Sequence, residues 1–186
     1  YPLFSANSFY KQIVPDNTLD YGFSATAMHW LSGKPCELSN HVHMVGADGE
    51  EYLRFSEHGK KDWETILLHR AHELRKGGQL VLLNFCRDEK GKYLGNTTGV
   101  NMFSNFVKIW QDFLGQGRIS EDEYKRMTLP QYYNTVEEFS APLKNFDSPV
   151  YQAGLRLKHI ETRITPCPFA EAFKEHQDAQ RFAEEY

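Results

Sequence analysis

The stretch DWETILLHRAHELRKGGQLVLLNFC, residues 62–86, decides the fold class of this chain. Its first half places apolar side chains on one face of a helix, which Asp62 can cap and which Arg75, Lys76 and two glycines end. Its second half, residues 79–86, is a continuous apolar run of strand length. A strand that is apolar on both faces is typical of the middle of a parallel sheet covered by helices. The order helix then strand therefore predicts an α/β fold.

Upstream of this stretch, residues 17–31 are predicted to form a strand followed by a turn of helix. Leu19, Tyr21 and Phe23 alternate with polar residues, as on a half-buried strand. The small residues that follow lead into His29 and Trp30, whose ring N–H groups could be packed in a core or could face one ligand. Periodicity alone does not separate these two interpretations.

Downstream, helices are expected to fill residues 99–150 as an insertion between two strands of the sheet. Apolar side chains repeat at helical spacing from Met102 to Leu114, and glycines then end the element. Two capping boxes follow, Ser120 with Glu123 and Thr135 with Glu138. A helical block in this position is expected to form a lid at the carboxyl ends of the strands, where ligands bind.

The predicted organisation is therefore a core with a lid. Residues 1–98 form part of the core, residues 99–150 form the helical cap over the pocket, and residues 151–186 return to the core. In that last segment we predict a strand at residues 155–158 and an amphipathic helix over residues 169–186, from their apolar spacing.

Composition excludes several classes of function. The 186 residues are 40% hydrophobic and 25% charged, which fits one globular domain. A net charge of −4 without a basic block excludes nucleic acid as a partner. No apolar stretch approaches a membrane span, and the first residues lack the features of a signal peptide. The three cysteines, odd in number and far apart, indicate a reducing, cytoplasmic location.

Metal and nucleotide motifs are weak. In residues 69–73 the glutamate lies outside the histidine pair, unlike in helical zinc motifs, so this segment is predicted to be a solvated helix flank. His41 and His43 lack a fourth ligand beside Cys36, and we interpret them as a surface strand edge. A metal-dependent hydrolase built on these histidines is a third hypothesis. No glycine-rich turn follows a strand, as a nucleotide site would require.

Four ordered blocks resemble the SABATH family of S-adenosylmethionine-dependent carboxyl methyltransferases. The blocks are Ser8-Phe9-Tyr10 with Pro15 and Leu19; Ser24 to Ser32 with Pro35; Asp62-Trp63, Leu67, Arg70-Ala71, Glu73-Leu74, Gly77-Gly78 and Leu80-Val81-Leu82; and Leu129-Pro130-Gln131-Tyr132. The resemblance implies part of a Rossmann-like methyltransferase sheet with an inserted helical lid. It also implies an enzyme that forms methyl esters of small carboxylic acids with S-adenosylmethionine as the methyl donor.

The resemblance assigns roles to single residues. Ser8 and Phe9 would contact the adenosine part of the donor, with Phe9 against the adenine ring. His29 and Trp30 would be the catalytic pair that faces the methyl acceptor, with the indole N–H of Trp30 donated to the carboxylate. The remaining acceptor contacts would be Thr26, Phe85, Met102, Phe103 and Tyr132. Because Thr26 stands where the family often has a tyrosine, a wider or wetter pocket is expected.

These residue types suit the reaction. Methyl transfer to an oxygen that is already anionic needs no strong base, so the protein must orient the carboxylate and exclude water. Neutral N–H donors hold an anion without the desolvation penalty of a buried, unpaired cation. Aromatic faces attract a sulfonium by ~0.5 to 2 kcal/mol.

The family's glycine-rich donor loop, its acidic ribose contact and its last strand lie outside the resemblance. We therefore expect the chain to be a truncated piece that binds the donor poorly by itself. Two alternatives stay open: a non-catalytic homologue that binds small molecules without the donor, and an N-methyltransferase of a small heterocycle. Magnesium has no support in the sequence, and a homodimer is an open possibility.

Overall fold

The computed structural model describes residues 4–96 and 101–185, so the predicted boundary between core and lid at residues 98 and 99 lies outside the described residues. The first half contains a strand, a long helix and a second strand. The elements are β1 (Leu19–Ala25), α1 (Gly49–Glu73), β2 (Leu74–Leu83), α2 (Met102–Gly115), α3 (Glu121–Arg126), α4 (Val136–Lys144), α5 (Pro149–Gln152), α6 (Pro168–His176) and α7 (Ala179–Glu185).

The strands β1 and β2 pair in parallel, with Leu19 beside Leu74 and Ala25 beside Leu83. A parallel pair joined through a helix is the unit from which α/β folds are built, so the predicted fold class is confirmed. The prediction that β2 is buried on both faces is wrong for the described residues. Val81 and Leu83 are 41% and 48% exposed, because the described sheet has two strands and one of its faces is uncovered.

Helix α1 is longer than predicted, because it begins at Gly49 and runs for 25 residues. Asp62 is therefore not a cap but a buried residue in its middle. Gly59 interrupts the apolar pattern for a steric reason: a Cβ there would lie 2.5 Å from the Cδ1 atom of Tyr132. The helix passes directly into β2, so Arg75 and Lys76 lie in the strand instead of ending the helix.

Two apolar clusters pack along α1. The tyrosine core consists of Leu38, Met44, Phe55, Phe103, Tyr132 and Tyr133. The Trp63 core consists of Met28, Trp63, Ile66, Leu67 and Val150. Helix α1 contributes Phe55 to the tyrosine core and three residues to the Trp63 core, so both clusters pack against this helix.

Helix α2 and both capping boxes, at the start of α3 and α4, are confirmed. The predicted strand at residues 155–158 is wrong: residues 155–167 have no regular structure, and no described strand lies beside them to pair with. The predicted tail helix is two short helices. The break falls at Gln177, whose φ of 53° is left-handed and cannot continue a right-handed helix.

Candidate functional site

The carboxyl ends of β1 and β2 are tied together where the chain turns away from the sheet. The N–H of Thr26 donates to the carbonyl of Leu83 at 2.8 Å, and the N–H of Met28 donates to the side-chain oxygen of Asn84 at 3.2 Å. Thr26 itself is exposed, and its φ of 53° starts the turn. Residues 27–32, the His-Trp turn, follow at the edge where parallel sheets bind ligands.

The segment Pro130 to Tyr132 runs beside the His-Trp turn. The N–H of Leu31 donates to the carbonyl of Pro130 at 2.8 Å, and the N–H of Tyr132 donates to the carbonyl of His29 at 2.9 Å. These bonds pair Trp30 with Gln131 as an antiparallel bridge. Two of the four resembling blocks therefore meet in space, although about a hundred residues separate them in sequence.

His29 is buried in an aromatic environment. Its ring centroid lies 4.7 Å from that of Phe85 and 5.9 Å from that of Tyr133. Burial lowers the pKa of His29 from 6.5 to about 4, so the imidazole is neutral at pH 7. Its Nδ1 atom is buried without a hydrogen-bond partner among the described residues. Buried polar atoms are nearly always paired, so this nitrogen is an exception among the described residues.

Trp30 points outward from the same turn and is 43% exposed. Its ring lies 5.9 Å from that of His29. The indole of the buried Trp63 donates to the carbonyl of Phe139 at 3.0 Å, whereas the Trp30 indole has no hydrogen bond to any residue in the described ranges. Trp30 thus presents an N–H that the fold itself does not use.

Three of the predicted acceptor contacts lie near this turn. Phe85 packs on His29, and Phe103 packs at 6.3 Å from Tyr133, the ring that also contacts His29. Met102 packs against the same tyrosine core. Tyr133 is the residue that sequence reasoning missed, and its position directly after the Leu-Pro-Gln-Tyr block is the one signal that could have indicated it.

The Tyr132 side chain belongs to the same core and packs against α1 at Gly59. It is 1% exposed, and its hydroxyl donates to Glu138 at 2.7 Å. Burial raises the pKa of the Tyr132 phenol, which keeps it protonated as the donor in this bond. The surroundings described for Tyr132 are therefore those of a packed core residue, and its role toward an acceptor remains a prediction.

His43 overturns the interpretation of residues 41–43 as a surface strand edge. The residue is fully buried, and its ring stacks on Phe103 at 3.9 Å. Its Nδ1 accepts the N–H of Val45 at 3.3 Å, so Nε2 carries the proton and donates to the side-chain oxygen of Gln131 at 3.1 Å. Burial lowers the pKa of His43 to about 3. Its apolar neighbours Val42 and Met44 were the available signal.

The predicted donor contacts lie in the N-terminal arm, residues 8–14. Ser8 is exposed, and the Phe9 ring lies half-buried against the Trp63 core, 4.6 Å from the ring of Tyr10. Arg70 holds this arm through hydrogen bonds to the carbonyls of Phe9 at 3.0 Å and Lys11 at 2.8 Å. An open hydroxyl beside a partly open aromatic face fits an adenosine group, which needs a polar contact and a stacking surface.

Two clefts of about 420 Å³ and about 290 Å³ lie elsewhere on the surface. The larger is lined by Val45, Ala47, Asp48, Tyr52, Arg87 and Tyr93 among others, and neither cleft includes a predicted site residue. Within residues 4–96 and 101–185, no three His, Cys, Asp or Glu side chains are grouped so that they could hold a metal ion. No helix of the described ranges is long and apolar enough to cross a membrane.

Comparisons with known proteins agree with the resemblance. The chain is 28% identical to farnesoic acid carboxyl-O-methyltransferase of Arabidopsis thaliana, over 90% of this chain and 51% of that protein. It is 23% identical to loganic acid O-methyltransferase of Catharanthus roseus, over 88% of this chain and 52% of that protein. The chain thus spans about half the length of the curated relatives it matches.

A solved structure of a loganic acid methyltransferase with SAH matches with a TM-score of 0.65 at 22% sequence identity, over 74% of this chain and 41% of that one. This likeness confirms the predicted methyltransferase fold, of which the described sheet is a part. Residues 3–164 match the family model described as SAM dependent carboxyl methyltransferase. The resemblance to SABATH enzymes is therefore confirmed, and the chain belongs to the family of SAM-dependent carboxyl methyltransferases.

Proposed function

We propose that the protein containing this chain transfers a methyl group from S-adenosylmethionine to the carboxylate of a small acid. The observation that carries the proposal is the His-Trp turn. Its two rings lie 5.9 Å apart just after the carboxyl end of β1, and the Nδ1 of His29 and the indole of Trp30 have no hydrogen-bond partner among the described residues. Family membership supplies the reaction, and these two rings supply a place for the acceptor.

The acceptor carboxylate would be held by neutral groups. Because its pKa is lowered to about 4, His29 carries no charge at pH 7 and offers one N–H. The indole of Trp30 offers a second. An oxygen that is already anionic needs orientation more than deprotonation, and a pair of fixed donors supplies orientation. The rings of Phe85 and Phe103 and the side chain of Met102 would line the apolar part of the site, with Thr26 at its exposed rim.

S-adenosylmethionine would lie against the N-terminal arm, with its adenosine on Ser8 and Phe9. When bound, it would supply a methyl group on a positively charged sulfur: the carboxylate oxygen would bond to the methyl carbon as the C–S bond breaks, and the sulfur would leave as a neutral thioether. Arg70 and Glu73 hydrogen-bond to the backbone of the arm, so this chain would supply part of the donor site. This chain spans about half the length of the relatives, and any remaining donor contacts would come from residues outside it.

The nature of the acceptor is inferred from chemistry and from the relatives. The proteins named above act on farnesoic and loganic acid, both small carboxylic acids. An aromatic and largely neutral site matches an acid with an apolar body. In this proposal residues 99–150 act as the lid, since α2 inserts Phe103 into the core beside His43. Tyr132, itself within residues 99–150, would pack the lid against α1.

We further propose a cytoplasmic location, for which the three unpaired cysteines are the support. The partners are the donor and the acid, in a monomer or a homodimer, and sedimentation of the purified protein distinguishes the two assemblies.

The proposal is tested with the protein expressed at its full encoded length. We expect calorimetry to detect binding of S-adenosylmethionine, and radiolabelled methyl to appear in esters of a panel of small carboxylic acids. Trp30→Ala should lower the transfer rate more than about tenfold, because losing one oriented donor costs ~1.5 to 3 kcal/mol. Trp110→Ala, which removes a half-buried indole from α2, is the matched control and should leave the rate unchanged.

No heat of donor binding would contradict the enzyme and favour a homologue that only binds small molecules. Methylation of heterocyclic nitrogen with no ester formation would contradict the acceptor class. An undiminished rate in Trp30→Ala would contradict the role of the indole.

A further inference from the structure

Three charged residues of α1 are buried: Asp62, Arg70 and Glu73 are 7%, 3% and 0% exposed. Spacings of eight and eleven residues place them within about a quarter turn of one another around the helix. Burying charge is costly unless every charge is paired and hydrogen-bonded. Their partners lie largely in two other segments of the chain, so this side of α1 holds those segments in place.

The first segment is the N-terminal arm. Arg70 and Glu73 form an ion pair at 2.6 Å, and each also makes hydrogen bonds to the backbone of the arm. Arg70 donates to the carbonyls of Phe9 and Lys11. Glu73 accepts the N–H of Ile13 at 2.6 Å, and its hydrogen bonds with Arg70 and Ile13 hold its pKa below the ordinary value, against the opposing effect of burial.

The second segment is the His-Trp turn. Asp62 accepts both the N–H and the hydroxyl of Ser32 at 2.7 Å, and the Ser32 hydroxyl lies 3.0 Å from Nε2 of His58. Asp62 therefore fixes the turn two residues after Trp30. Asp62 lies on α1, the helix whose Arg70 and Glu73 hold the arm.

Tyr10 connects the two segments directly. Its hydroxyl donates to the carbonyl of Trp30, while its ring packs on Phe9 at 4.6 Å. Burial, with the nearby carboxylate of Asp62, raises the pKa of Tyr10, so the phenol keeps its proton and remains a donor. One side chain thus touches the residue predicted to stack on the donor and the residue predicted to bind the acceptor.

We propose that Tyr10 is a positioning residue that sets the separation between the donor arm and the acceptor turn, with Asp62 as the anchor of the turn. This inference rests on the proposed function. In an in-line displacement the reacting atoms must be aligned at about 3 to 3.5 Å, and a misplacement of about 1 Å can cost a hundredfold in rate. A hydrogen bond between the two binding segments is a direct way to hold that distance.

The test uses Tyr10→Phe in the protein at its full encoded length. Phenylalanine keeps the ring that packs on Phe9, so the Kd for S-adenosylmethionine should stay within about twofold, while the single-turnover rate of methyl transfer should fall about tenfold. Tyr124→Phe is the matched control, since it removes the hydroxyl of another half-buried tyrosine, whose one hydrogen bond among the described residues comes from Gln111 at 3.5 Å. Its rate should equal that of the wild type.

Asp62→Asn provides a second, independent readout. If Asp62 and Tyr10 act through the same alignment, each variant lowers the single-turnover rate, and the double variant is less impaired than the product of the two effects. Multiplicative effects would overturn the inference. A loss that appears only in donor affinity, or only in Tm, with the rate per donor-binding molecule unchanged, would overturn it as well.

Failure of this inference and failure of the proposed function are distinguishable. A wild type that forms no ester with any acid contradicts the function. A wild type that forms esters, with a Tyr10→Phe rate within about twofold of it, contradicts the inference alone.

Discussion

The buried histidines His29 and His43 both pack near the ring of Tyr133, but they differ in their hydrogen bonds. Their ring centroids lie 5.9 Å and 4.8 Å from that of Tyr133, and burial lowers their pKa values to about 4 and about 3. Both ring nitrogens of His43 are bonded within the fold. The Nδ1 of His29 has no partner among the described residues. Burial and pKa therefore do not separate a structural histidine from a candidate binding histidine, whereas hydrogen-bond accounting does.

The same contrast separates two tryptophans. Trp63 is buried and its indole donates to Phe139, while Trp30 is exposed and its indole is unused in the described part of the chain. The ring N–H groups of Trp63 and His43 are thus paired within the fold, whereas the Nδ1 of His29 and the indole of Trp30 have no partner among the described residues. Four predictions test this difference.

His43→Ala should lower the free energy of unfolding by about 3 kcal/mol, because it opens a cavity and leaves the N–H of Val45 without its acceptor. Urea denaturation measures the change. His159→Ala is the control, since its side chain is 74% exposed and should change stability by less than about 0.5 kcal/mol. A loss below about 1 kcal/mol for His43→Ala would contradict a structural role.

Acid should destabilise the protein through both histidines. Their folded pKa values, about 4 and about 3, lie below the ordinary 6.5, so at pH 5 the unfolded state binds protons that the folded state does not. Stability is then full above pH 6.5 and falls as the pH drops toward the folded values. The two together should cost about 2 to 3 kcal/mol per pH unit between about pH 5.5 and 4.5.

Urea denaturation at several pH values measures this slope, and His29→Leu should remove about half of it. That variant separates the histidines from acidic groups such as Glu73, whose lowered pKa also destabilises the fold as the pH falls. A slope that is the same in His29→Leu would show that His29 is not buried as described.

His29→Leu should change the free energy of unfolding by less than about 1 kcal/mol, because it replaces an unpaired polar ring with an apolar side chain of similar size. The methyl-transfer rate should nevertheless fall about tenfold, since one donor to the acceptor is lost. Urea unfolding and ester formation, measured on the same variant, test whether the rate falls while the stability is kept. Equal losses of stability and rate would assign His29 to the core, like His43.

The smallest effect concerns one hydrogen bond. A double-mutant cycle between His43→Leu and Gln131→Leu should give a coupling of about 1 kcal/mol in unfolding free energy, typical of a neutral buried hydrogen bond. The cycle between His29→Leu and Gln131→Leu should give less than about 0.3 kcal/mol, because His29 makes no side-chain bond to Gln131. A similar coupling in both cycles would remove the contrast.

Local signals predicted those features that depend on a few neighbouring residues. The capping boxes, α2 and the helix followed by a strand were predicted correctly, because hydrogen bonds between residues three or four apart and apolar periodicity act over short distances. The prediction of a strand at residues 155–158 was wrong because a strand needs a neighbouring strand to pair with, and none of the described strands lies beside these residues. The predicted start of α1 was too late because Gly59, which has a low helix propensity, lies inside the helix. The packing of Tyr132 requires a glycine at that position.

By itself, the sequence determined the fold class, the family and the presence of His29 and Trp30 as adjacent rings, since each is written in consecutive or periodic residues. Which of these rings have hydrogen-bond partners depends on the tertiary structure. His43 is hydrogen-bonded to Gln131, which is eighty-eight residues away in sequence, and Tyr10 is hydrogen-bonded to Trp30, which is twenty residues away. The physical reason is that a hydrogen bond made by a buried side chain depends on where distant backbone and side chains come to lie, and that position is set by packing along α1.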